Sequence, residues 1–261
     1  MNQPDNDAVR EDVRNRYAGV ARGEGSCCCG ECGPTDRGSA EYAARLGYSP
    51  EDALSVPEGA DMGLGCGNPH AIAGLKQGET VLDLGSGGGL DCFLAARQVG
   101  SAGNAIGVDM TPDMVSKARR NAREGGYTNV DFRLGEIEHL PVADGTVDTI
   151  LSNCVINLSP DKQSVFNEAF RVLRTGGRLA ISDVVAVKPL PEKVAGDSEA
   201  YCGCIGGAAL VSDIEALLLE AGFSDIQVTV KPESAEIISG WFSGAGYEEF
   251  VRSAFISAVK N

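Results

Sequence analysis

Three cysteines and one glycine loop carry most of the chemistry open to this chain. Cys66 lies in Gly63-Leu-Gly-Cys-Gly-Asn-Pro69, Cys154 in Ser152-Asn-Cys-Val-Ile-Asn-Leu158, and Cys204 in Cys202-Gly-Cys-Ile-Gly-Gly-Ala208. The loop is Val81-Leu-Asp-Leu-Gly-Ser-Gly-Gly-Gly-Leu-Asp91. Gly85, Gly87 and Gly89 bare the backbone where a strand gives way to a helix, so a ligand can approach it closely. Asp109, twenty residues after Gly89, ends the next apolar run, where a carboxylate accepts both hydroxyls of an adenosine ribose. Loop and acid together point to an adenosine-bearing cofactor. The cysteines suit a soft, thiophilic atom opposite it.

Three thiolates are a natural ligand set for a trigonal metalloid such as As(III) or Sb(III). Such a centre keeps a lone pair that it can aim at an electrophile, so no general base is required. Bases are scarce in any case. The two histidines are His70, which reads as part of a helix start, and His139, in the segment after the third apolar run. Cys154 follows the fourth such run, and ligands of open α/β sheets bind beyond the carboxyl ends of the strands. Cys66 sits between glycines just before the sheet begins, and Cys204 follows the fifth strand in the region that lids such sites. Cys92, inside an apolar helical stretch, reads as a small buried hydrophobe.

The elements that position these residues alternate. Strands are expected at 80–84, 104–108, 130–134, 147–152 and 178–182, with helices at 90–99, 111–124 and 160–174. That order predicts a parallel sheet with helices on both faces. A helix at 211–221 stops at Gly222. Strands at 226–230 and 253–259 close one sheet edge as a hairpin-like pair with an insertion between them. Upstream, residues 5–22 carry a helical stripe of Val9, Val13, Tyr17 and Val20, and short helices follow at 39–47 and 50–55. Three segments result: 1–69 helical and cysteine-rich, 70–185 cofactor-binding, and 186–261 an acceptor-binding lid that completes the sheet.

Between the first helices lies Gly23-Glu-Gly-Ser-Cys-Cys-Cys-Gly-Glu-Cys-Gly-Pro34, a loop by its breakers. Its Cys29-x-x-Cys32 reads as half a zinc site, a redox pair, or a relay for a metalloid. No second such pair or nearby histidine completes a tetrahedral zinc set.

The chain has 261 residues, 43% hydrophobic and 23% charged, as in a globular protein. Its net charge of −15 repels phosphate backbones, which disfavours nucleic acid as a partner. No apolar run reaches the ~20 residues of a membrane helix, and the start lacks the basic and apolar regions of a signal peptide. A cytoplasmic protein with largely reduced thiols is expected, since nine cysteines at these spacings make no disulfide framework.

Asp83 leading the glycines resembles the first motif of class I S-adenosylmethionine methyltransferases. Gly135-Glu-Ile-Glu-His-Leu-Pro141 is similar to that family's adenine-contacting segment, and Asp144-Gly-Thr-Val-Asp148 leads its fourth strand. The resemblance implies a Rossmann-like α/β fold with a seven-stranded, mostly parallel sheet. It implies Glu136 and Ile137 beside the adenine, and Asp83, Gly85, Ser86, Gly87, Gly89, Asp109, Met110 and Asn153 in the rest of the cofactor site. The three cysteine contexts, with Gly107-Val-Asp-Met-Thr111, further resemble the arsenite methyltransferase family. By that resemblance Cys66, Cys154 and Cys204 ligate arsenic, Cys29 or Cys32 is a relay thiol, and glutathione or thioredoxin supplies electrons and thiols. The alternatives are a methyltransferase for a quinone-like carbon acceptor and a non-catalytic metalloid-binding protein.

Overall fold

The computed structural model describes residues 6–24, 40–242 and 244–261. Cys27, Cys28, Cys29 and Cys32 lie outside the described residues. Helix α1 (Asn6–Arg22) is followed by α2 (Ala40–Leu46), α3 (Pro50–Ser55) and α4 (His70–Ala73). A reciprocal capping box starts α3: the Ser49 hydroxyl accepts from Asp52 N, and the Asp52 carboxylate accepts from Ser49 N.

Strand and helix then alternate through β1 (Thr80–Leu84), α5 (Leu90–Val99), β2 (Asn104–Asp109), α6 (Pro112–Glu124), β3 (Val130–Leu134), β4 (Val147–Asn153), α7 (Lys162–Val172) and β5 (Leu173–Ala186). The last third adds α8 (Glu192–Ala195), α9 (Ser198–Cys202), α10 (Val211–Ala221), β6 (Ser224–Val230), α11 (Ser234–Ser239) and β7 (Val251–Val259). The strands form one sheet in the order β3-β2-β1-β4-β5-β7-β6. The first five are parallel, whereas β7 runs antiparallel to both β5 and β6. The chain reverses beside β1, between β2 and β4, and the crevice there opens at the carboxyl ends of the strands.

Central strands are buried on both faces, which is why they read as short apolar runs. Val81, Leu82, Ile150, Leu151, Leu179 and Ala180 have essentially no exposed surface. Several boundaries differ from expectation by a few residues, two of them with a cause in the structure. Helix α7 starts at Lys162 because the Asp161 side chain accepts from Ser164 N and caps it there. Strand β5 runs on to Ala186 because its extra residues pair with the start of β7, Asp183 with Ala254 and Ala186 with Val251. The insertion between β6 and β7 contains α11, and with α9 it packs an apolar cluster of Ile238, Trp241, Ala200 and Ile205 over the strand ends. Among the described residues, no helix is long and apolar enough to cross a membrane.

Candidate active site

The three loop glycines have three different jobs. At Gly85 (φ +68°) a Cβ would lie 2.5 Å from Val155, so only glycine lets the loop and the β4 exit approach each other. At Gly87 (φ +50°) a Cβ would meet no atom within 4 Å, which leaves open space in front of the backbone. At Gly89 (φ +99°) it would strike Phe93 at 2.6 Å, so this glycine seats α5 against the sheet. Asp109 is buried and anchors the same loop, accepting from Gly87 N at 3.0 Å and from Thr111 N at 2.8 Å. Burial raises its pKa.

Two cavities meet across the loop. One runs under α1 and is lined by Val13, Tyr17, Asp109, Met110, Ile137 and Cys154 among others. The other is walled by Tyr48, Asp61, Asp83, Ser86 and Asp91. Both include Leu64, Gly85, Gly87 and Asn153, so one elongated ligand can span them. Burial raises the Asp61 and Asp83 pKa values, and Asp91 adds to the rise at Asp83. No lysine or arginine forms a salt bridge with these carboxylates among the described residues. His70 Nε2 lies 3.3 Å from Asp91. An end of the ligand that carries positive charge fits this second cavity, as the ammonium and sulfonium of S-adenosylmethionine would.

Most of the residues expected at the cofactor come together here. Glu136 is turned away from the main cavity: it pairs with Arg14 of α1 at 3.1 Å and borders a separate surface depression with His139. Its neighbour Glu138 lines the cavity wall instead, held by Arg10 at 3.2 Å and by the Ser159 hydroxyl at 2.7 Å. These ion pairs fasten α1 over the cavity.

The cysteines converge from three separate segments and are all buried. The sulfurs of Cys66 and Cys154 and a carboxylate oxygen of Asp183 all lie within 4.8 Å of one another. Cys204 Sγ donates to the Cys154 carbonyl at 2.8 Å. Cys154 (φ 58°) and Cys204 (φ 64°) occupy the left-handed region, where the one other described non-glycine residue is Asp225. Such backbone is costly for a residue with a Cβ and persists where its surroundings enforce it. Burial pushes the Cys66 thiol up and the Cys154 thiol well up, the latter also through its two thiol neighbours. Both shifts favour the protonated thiol at Cys66 and Cys154. Lys162 and Lys231, both lowered by burial, interact electrostatically with Cys204 and Cys66 respectively.

Three supporting residues were not among the expected ones. Asp183 accepts from Ile156 N (2.9 Å), Val184 N (2.7 Å) and Asn157 Nδ2 (3.0 Å). Asn157 also donates to the Val184 carbonyl (2.6 Å) and the Cys204 carbonyl (3.2 Å), tying the two cysteine loops together. Tyr48 donates to Asp91 at 2.8 Å and accepts from Asn153. The strand-end rule, applied to β5, is the signal that could have found Asp183. Cys202 is buried in the same cluster, and its carbonyl accepts from the Tyr17 hydroxyl.

A family model described as a methyltransferase domain matches residues 75–222. The arsenite methyltransferase of Halobacterium salinarum is 52% identical over 98% of this chain and 68% of its own length. The arsenite methyltransferase of Mus musculus is 33% identical over 84% of this chain and 59% of its own. The crystal structure of an arsenic(III) S-adenosylmethionine methyltransferase from Chlamydomonas reinhardtii superposes with a TM-score of 0.63 at 36% identity, covering 76% of this chain and 67% of that one. The chain thus spans about two thirds, or somewhat less, of the relatives it matches. A shared fold does not require half of all positions to agree along nearly the whole sequence, and on that agreement the chain belongs to the arsenite methyltransferase family.

Proposed function

We propose that this chain moves a methyl group from S-adenosylmethionine to trivalent arsenic held by Cys66, Cys154 and Cys204. The observation that carries this reading is the shared wall: Cys154 lines the same cavity as Gly85, Gly87 and Asp109, with Cys66 and Cys204 beside it. When bound, S-adenosylmethionine supplies a methyl carbon activated by its sulfonium. The Asp109 carboxylate would take the ribose hydroxyls, and Asp61, Asp83 and Asp91 would face the cationic end. Helix α1 and Ile137 would exclude water from the adenine.

Loading the arsenical needs no preformed thiolate. Each thiol displaces one hydroxide of arsenous acid as water, which carries away the thiol proton, so three thiols release three waters. The arsenic then keeps its lone pair for a direct displacement, in which an As–C bond forms as the C–S bond breaks and S-adenosylhomocysteine leaves. That step formally oxidises arsenic, so return to the trivalent state needs two electrons from thiols, with glutathione or thioredoxin as donor and Cys29 or Cys32 as relay. Arsenic detoxification in the cytoplasm is the role that fits this chemistry.

The test is an assay for S-adenosylhomocysteine and methylated arsenic with arsenite and reduced glutathione, on the wild type and on Cys154→Ser. Product from the wild type and none from the variant supports the reading. Turnover that survives Cys154→Ser refutes the thiol-held acceptor, and a wild type that makes no arsenic product turns the search to a carbon substrate.

A further inference from the structure

Among the described residues, Asp183 is the one buried carboxylate whose oxygen groups with the thiols, and trivalent arsenic has no need of it. Three thiolates complete an arsenic centre, whose fourth direction is its lone pair. A thiophilic dication instead wants four ligands in a tetrahedron, commonly a mixture of sulfur and carboxylate oxygen. We infer that Cys66, Cys154 and Asp183 form a site for a divalent thiophilic cation of the Zn2+ or Cd2+ class, which competes with the arsenical for this pocket. The inference rests on the same thiols as the proposed function, but on a different fourth group.

The three ligand atoms already lie within 4.8 Å of one another. A tetrahedral zinc shell with ordinary bond lengths needs S···S and S···O separations of about 3.5–3.8 Å, so a contraction of about 1 Å closes it. Cys204, with its Sγ 2.8 Å from the Cys154 carbonyl, is the nearby candidate for the fourth position. Asp183 is held as metal-bound carboxylates are: Val184 N and the Asn157 amide fill Oδ1, and Ile156 N bonds Oδ2 and leaves one of its lone pairs free for a cation. Asp183 is buried and no salt bridge reaches it among the described residues, although Lys162 acts on it electrostatically from farther away. A bound dication offsets that burial cost. Each thiol that ligates gives its proton to the buffer, and Lys162 and Lys231 partly balance the resulting negative charge.

The site is tested in the full chain with Cys27, Cys28, Cys29 and Cys32 all changed to Ser, so that the N-terminal thiols take no metal. Zn2+ and arsenite are titrated separately, with and without Asp183→Asn. The expected result is one Zn2+ displaced by arsenite, with zinc affinity falling at least tenfold in Asp183→Asn while arsenite affinity changes less than threefold. Equal zinc affinity with and without the substitution overturns the inference and leaves the proposed function standing. Arsenite binding without zinc binding does the same, and binding of neither overturns both. Should Asp183→Asn fail to fold, X-ray absorption of the Cd2+-loaded parent decides: a shell of sulfurs with one oxygen supports the site, and a shell of sulfur alone refutes it.

Discussion

Replacing Asn157 with Ala tests whether the two cysteine loops act as one unit. Its amide is buried and bonds the Asp183 carboxylate, the Val184 carbonyl and the Cys204 carbonyl at 3.0, 2.6 and 3.2 Å. Asp183 keeps its two backbone donors in the variant, so two carbonyls lose a partner. At about 1–1.5 kcal/mol each, the fold loses about 2–3 kcal/mol, which a marginally stable domain survives at 25 °C. The sharper effect is local. Cys204 sits at φ 64°, a conformation that costs on the order of 1–2 kcal/mol and that the Asn157 amide helps to hold. Once released, the loop relaxes, and binding must restore it. Arsenite affinity should then fall about tenfold, the equivalent of 1.4 kcal/mol. X-ray absorption should count fewer than three As–S bonds. S-Adenosylmethionine affinity should stay within about twofold, because Asn157 lines neither cavity. Three As–S bonds and unchanged arsenite affinity in a folded Asn157→Ala protein would refute the reasoning.

Asp109→Ala removes the acceptor for two backbone amides and, on the proposed reading, for the ribose, so S-adenosylmethionine affinity should drop about a hundredfold by calorimetry, at about 1.5 kcal/mol or more for each charged hydrogen bond. Gly85→Ala puts a Cβ 2.5 Å from Val155 at a positive φ, and should lower stability to denaturant by about 2 kcal/mol or more while closing the cofactor cavity. The Arg171 guanidinium, bonding Glu168 at 2.6 Å, holds that carboxyl below its usual pKa. The stability it contributes is therefore present above the unfolded-state value and is lost as pH falls through the folded one. Glu168→Gln should cost about 1 kcal/mol at pH 7 and nothing near pH 2, because the pair is partly exposed; a pH-independent difference would contradict this. Arg10→Ala breaks the pairs to Glu138 and Glu136, and should weaken cofactor binding through a loosened α1, seen as faster amide exchange in residues 6–22.

What the sequence made legible was local chemistry. Strands β1, β2 and β4 are short apolar runs because the sheet is covered on both faces, and the loop glycines announce a close backbone approach. The contacts that complete the site are not local. Arg10 meets Glu138 across 128 positions, and Asn157 meets Cys204 across 47, distances over which no periodicity connects two residues. Glu136 and Ile137 illustrate a different limit: adjacent residues in an irregular segment face different ways, and α1 with its arginines decides which way the acid turns. Asp183 reads in the sequence like any acid at a strand end. Only the continuation of β5 to Ala186, paired with β7, buries it.

Asn153 has a consequence for the order of events. Its amide oxygen accepts from Cys66 N at 3.1 Å, while its nitrogen donates to the Gly67 carbonyl, the Tyr48 hydroxyl and Asp91 at 2.8, 2.9 and 3.3 Å. A planar amide cannot shift one end without the other. On the proposed reading, a ligand that draws on Asp91 or Tyr48 would therefore move the Cys66 turn, and a metalloid that pulls on Cys66 would move the carboxylate cavity. The two occupancies would then be thermodynamically linked, and linkage is reciprocal: whatever factor the first ligand adds to the affinity of the second, the second returns to the first.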